Sequence, residues 1–89
     1  MVYYAENQII PLLNVITAEF PKITRQIYEW YPSKPTSEPM YLLLCAGNGG
    51  GWAVNAFKPK ENGIISLNPD GIISIYAHEL AHTMKGPVN

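Results

Sequence analysis

The chain of 89 residues contains one cysteine, two histidines and a charged fraction of only 15%. With Cys45 alone, no intrachain disulfide can brace the fold, and packing must hold it together. Six Lys/Arg residues against seven Asp/Glu residues leave a net charge of -1. The basic residues are scattered, with no cluster denser than Lys58-Pro59-Lys60. Nucleic acid and anionic membrane both call for a basic patch, so neither is expected as a partner. Long apolar runs are also missing. The longest, around Met40 to Ala46, falls far short of the ~20 residues that span a bilayer, and no membrane insertion is expected. Nor does the N-terminus pair a basic segment with an apolar one, so no signal peptide is visible. The chain reads as soluble, with its compartment unassigned.

What is present suffices for one small domain over residues 1–89. A hydrophobic content of 47% with 11% aromatics supports a packed core and argues against disorder. Ile9, Leu12, Leu13, Ile16 and Phe20 recur at three- and four-residue intervals and predict an N-terminal helical segment starting near Pro11. Phe20-Pro21 is expected to break it. A second short helix would follow to Trp30-Tyr31, burying Ile23, Ile27 and Trp30. Three prolines in residues 32–39 mark a rigid surface connection. Strands are expected at Met40 to Ala46, Trp52 to Phe57 and Ile64 to Leu67, with Lys58 to Gly63 as a turn. The expected class is therefore α+β: a small twisted sheet of three to four strands packed on the N-terminal helical segment and on a C-terminal helix.

That last helix has the clearest boundaries. Asn68 suits the N-cap, Pro69 the first helical position and Asp70 the positive end of the dipole, while Gly86-Pro87 ends it. It carries His78-Glu79-Leu80-Ala81-His82, an H-E-x-x-H pattern and the only histidines in the chain. Residues i and i+4 lie on one helix face, so the two imidazoles can converge on one metal ion, with Glu79 placed to act as a base. At about 100° per residue, Ile73, Tyr76, Leu80 and Met84 lie roughly opposite the bisector of the two histidines. The apolar side is thus expected to dock on the sheet and the histidines to face a cleft.

Residues 40 to 86 resemble, in element order, the N-terminal half of a zincin-type zinc metallopeptidase domain. In that fold a long helix backs a twisted sheet, an edge strand runs above the cleft and the motif helix follows. The resemblance implies Zn²⁺ held by His78 and His82, Glu79 as general base and a peptide or protein substrate. It also implies that Ile64, Ile65, Ser66 and Leu67 form the edge strand that receives the substrate. Zincins add a third ligand after the motif helix, but here Lys85 and Val88 occupy the positions of the metzincin Gly and His, and no acidic residue follows Glu79. The chain is therefore expected to represent part of a larger catalytic domain, weak or inactive alone, with an exposed cleft face open to self-association. A non-catalytic metal-binding or interaction domain is the alternative.

Two further features bear on chemistry. Cys45 together with an H-E-x-x-H helix resembles peptide deformylases, which would make Cys45 the third ligand, but the glycine-rich segment follows the cysteine here instead of preceding it. Cys45 also fits a small buried apolar role. Gly47 to Gly51 has neither the Lys-Ser/Thr nor the following helix of a phosphate loop, and is expected to form a hairpin turn or a rim over the cleft.

Overall fold

The computed structural model describes residues 1–30, 40–54 and 60–85. It is an α+β fold with a mixed four-stranded sheet and two helices. The strands are β1 (Val2–Ala5), β2 (Met40–Cys45), β3 (Gly51–Val54) and β4 (Lys60–Ile65); the helices are α1 (Leu13–Trp30) and α2 (Pro69–Lys85). A 3₁₀ segment, Asn7–Leu12, leads into α1. Strand order is β1-β2-β4-β3, with β1, β2 and β4 parallel and β3 antiparallel on the edge.

Alternation along β2 sets the layers. Met40, Leu42 and Leu44 are buried while Tyr41, Leu43 and Cys45 are half-buried, as expected for a strand with one face in a core. The buried set joins Ile16, Phe20 and Ile27 of α1, Ile72, Tyr76 and Leu80 of α2, and Ile64 of β4 in a single cluster. Both helices therefore cover the same sheet face. Each fully buried aliphatic or aromatic side chain in this cluster contributes roughly 1.5–3 kcal/mol. Among the described residues no helix is long and apolar enough to cross a membrane.

Several sequence expectations change here. Phe20-Pro21 does not break the helix: α1 runs through Pro21 for 18 residues. Proline in a helix interior removes one hydrogen bond and crowds the preceding turn, costing about 3 kcal/mol. Ile16 and Phe20 before it and Ile27 after it are anchored in one core, and that burial offsets the cost. Trp30, expected to be buried, is 67% exposed, because it lies in the last turn, beyond the stripe that meets the sheet. Residues 60–63, read as part of a turn, form the first part of β4, which pairs with β2 on one side and β3 on the other. β1 was not anticipated. Residues 32–39, Asn55 to Phe57 and the Gly86-Pro87 stop lie outside the described residues.

Helix α2 begins as its sequence requires. Asn68 Oδ1 accepts hydrogen bonds from the backbone N–H groups of Asp70 (2.8 Å) and Gly71 (3.1 Å), satisfying two donors that the helix itself leaves free. The buried face comprises Ile72, Tyr76 and Leu80, with Thr83 beside them and Ile73 only half-buried. Tyr76 stacks on Phe20 with ring centroids 4.0 Å apart and planes 8° from parallel. Its hydroxyl lies 2.6 Å from Thr24 Oγ1, and Thr24 Oγ1 in turn donates to Phe20 O at 2.8 Å.

Burial of Tyr76 pushes its hydroxyl pKa well above the ordinary value of 10.0; the Thr24 hydrogen bond opposes this and the nearby Tyr28 and Tyr3 add to it. The folded state thus favours the protonated phenol. That stabilisation is complete below about pH 10 and is lost as pH rises from 10 toward the higher folded value. In this window each proton lost only on unfolding lowers stability by about 1.4 kcal/mol per pH unit. Urea midpoints measured from pH 9 to 11.5 are expected to fall, and to fall less steeply in Tyr76→Phe.

Candidate metal centre

The two histidines occupy the outer face of α2, away from the Ile72, Tyr76 and Leu80 stripe. His78 Nε2 and His82 Nε2 stand 3.1 Å apart, with the rings edge to face at a centroid distance of 4.6 Å. The His78 side chain is 67% exposed, and His82 is exposed as well. Two Zn–N bonds of about 2.05 Å meeting at a tetrahedral angle hold their nitrogens roughly 3.3–3.4 Å apart. The pair is therefore spaced for one such ion with a shift of a fraction of an ångström, and imidazole nitrogen is a ligand type suited to zinc.

Glu79 turns toward the sheet. Its side chain is 13% exposed and Oε2 lies 4.0 Å from His78 Nε2. A shallow cleft of about 360 Å³ opens beside it, lined by Gly50, Gly51, Ser74, Ile75, His78 and Glu79. The carboxylate thus reaches the same cleft that exposes His78, within a water's breadth of the ring nitrogen.

The glycine-rich segment shapes the rim of this cleft. It is not a hairpin turn, because β4 lies between the strands it joins. Gly49 and Gly50 adopt φ of 122° and 136°, a conformation open to glycine but strained for other residues. At Gly51 the constraint is contact. A Cβ there would lie 2.6 Å from Gly63 O, 2.6 Å from Ile75 Cγ2 and 3.3 Å from Glu79 Cγ. The absence of a side chain lets β3 approach α2 at the acidic residue. Gly51→Ala is expected to destabilise the protein by about 1–3 kcal/mol through overpacking; chemical denaturation measures this directly.

Ile64, Ile65, Ser66 and Leu67, expected to form the edge strand that receives the substrate, do not lie at the sheet edge. Ile64 and Ile65 belong to β4, where both pair with β2 and Ile64 also pairs with β3; Ile65 N–H donates to Gly50 O at 2.9 Å. Ser66 and Leu67 follow the strand, and their N–H groups continue on the β2 side, donating to Cys45 O (3.0 Å) and Gly47 O (3.2 Å) instead of forming a free edge. Ser66 is buried, exchanging hydrogen bonds with the backbone of Asn68. The edge next to α2 is β3. Since Gly50 O points into the sheet, alternation turns the N–H and C=O of Gly51 and Ala53 outward. Strand order depends on which segments pair across the sheet and carries no local signal in the sequence.

Cys45 is not brought to the histidines. It lies in β2 on the face opposite both helices and lines a separate depression with Tyr4, Ala5, Glu6, Leu43 and Leu44. Burial and, secondarily, the Glu6 carboxylate push its thiol pKa up, which disfavours the thiolate that binds metals. Among the described residues, no group of three or more His, Cys, Asp or Glu side chains is placed to hold a metal ion. No protein-family model, curated protein or solved structure matches the chain.

Proposed function

We propose that His78 and His82 bind a zinc ion and that Glu79 serves as general base in peptide-bond hydrolysis, in a zincin-like arrangement. The observation that carries the reading is the 3.1 Å approach of the two Nε2 atoms with the Glu79 carboxylate 4.0 Å from one of them at the cleft. The order of the elements supports it: a long helix and the motif helix share one face of a mixed sheet, and an antiparallel edge strand borders the motif helix. A zinc ion held by these imidazoles supplies Lewis acidity and makes water a better acid.

The remaining chemistry belongs to the chain itself. Glu79 Oε2 accepts a proton from water in the cleft and passes it to the departing amine, an exchange that one carboxyl group can perform in both directions. An extended peptide pairs with the outward backbone groups of Gly51 and Ala53 on β3, which places its carbonyl row alongside α2. Ile75 and the side-chain-free Gly50-Gly51 segment line the cleft beside Glu79, leaving room for an extended peptide next to the base. A second reading, a non-catalytic metal-binding module, draws on the absence of a third ligand among the described residues.

Zinc titration by calorimetry, paired with hydrolysis of a mixed peptide pool, tests the proposal. His78→Ala and His82→Ala are each expected to weaken zinc binding by more than about 100-fold, since loss of an outer-shell partner alone costs 10- to 100-fold. Zinc bound through both histidines without cleavage of any peptide would favour the non-catalytic module. Affinity unchanged in either variant would remove the metal site.

A further inference from the structure

Among the described residues, no third side chain of a metal-binding type joins the two histidines. Glu6 accepts a hydrogen bond from Ala46 N–H at 2.8 Å, and Glu61 accepts one from Trp52 Nε1 at 3.2 Å. Glu19 lies 3.6 Å from Lys22 on α1, and Cys45 is on the far face of the sheet. Asp70 is on α2 itself, but eight residues before His78, about 12 Å along the axis. Meanwhile the imidazole pair is exposed on an outer helix face with its two Nε2 atoms hydrogen-bonded to each other at 3.1 Å, so exchange of the bridging proton for an ion and a shift of a fraction of an ångström present both nitrogens together.

From this placement we infer that a zinc ion is shared by two copies of the chain, each contributing Nε2 of His78 and of His82 to one four-nitrogen site. The inference rests on the reading that these two histidines bind the ion. Zinc in closed sites takes four ligands in a tetrahedron. One chain supplies two adjacent corners, and a two-fold axis through the ion supplies the other two from an identical surface. The second pair is already assembled, so it replaces two waters without ordering a new loop. The two Glu79 carboxylates, one near each histidine pair, bring negative charge close to the divalent ion. A net charge of -1 per chain sets little repulsion against association.

Sharing has a regulatory consequence. A closed four-nitrogen site keeps no open position, whereas hydrolysis requires one. Sharing and hydrolysis are therefore mutually exclusive at this site.

Sedimentation velocity and calorimetry during titration of the protein with zinc chloride test the inference. The expected result is a doubling of mass that completes at about one ion per two chains, reversed by EDTA. Excess zinc, which gives each chain its own ion, is expected to dissociate the pair again. His82→Ala, a change at an exposed position that circular dichroism will verify as folded, is expected to stay at single-chain mass throughout. Binding of one ion per chain with no change of mass overturns the sharing while leaving the two-histidine site intact. Folded protein that takes up no zinc overturns both.

Discussion

Glu79→Gln is expected to lower kcat/KM for peptide hydrolysis by about 10²- to 10⁴-fold, the usual contribution of a positioned general base, while leaving zinc affinity near that of the parent chain. The amide retains the size and shape of the carboxylate, so the packing of Cγ near Gly51 is preserved and stability should shift by no more than about 1 kcal/mol. What the amide lacks is an oxygen able to take up a proton. Steady-state kinetics and a zinc titration on the same preparation separate these effects. A parallel loss of metal and activity would make Glu79 a ligand. Unchanged kcat/KM would end its assignment as base.

The parts of the site that were legible in the sequence are those fixed by local physics. The i, i+4 spacing of His78 and His82 determines their convergence once a helix forms, and Asn68-Pro69-Asp70 marks where that helix starts. Faces and boundaries that depend on distant partners were harder to read. Met40 to Ala46 is apolar throughout, so composition alone could not place Cys45 on the side away from α2; pairing and helix cover decide that. Lys60-Glu61-Asn62-Gly63 has turn-like residues but becomes strand because β2 and β3 both pair with it. Gly63 is needed there, since a Cβ would overlap the Trp52 ring. Val2–Ala5 is four residues long and pairs in parallel with residues about forty positions away, which leaves little local signal. Pro21 misled for the opposite reason: a strong local breaker was overridden by the burial of Phe20 and Ile27.

Truncating the aromatic stack beneath the motif helix should have the largest structural effect. Phe20→Ala or Tyr76→Ala is expected to cost about 3–5 kcal/mol, a large share of the roughly 5–15 kcal/mol available to a small domain. For a chain of this length each kcal/mol moves Tm by about 4–8 °C, so a fall of at least about 12 °C should appear in a thermal melt. Tyr76→Phe keeps the ring stacked on Phe20 and loses only the hydroxyl contact with Thr24, which is worth about 0.5–1.5 kcal/mol. The contrast between the two Tyr76 variants separates packing from hydrogen bonding. It also bears on the metal centre, because Tyr76 lies two residues before His78 and fixes the rotation of α2 about its axis. Zinc at 100 times its Kd stabilises the folded state by about 2.7 kcal/mol, and is therefore expected to recover much of the thermal loss in Phe20→Ala. In the His82→Ala background the same zinc concentration should recover little, which ties the rescue to the two imidazoles and not to a general effect of the ion.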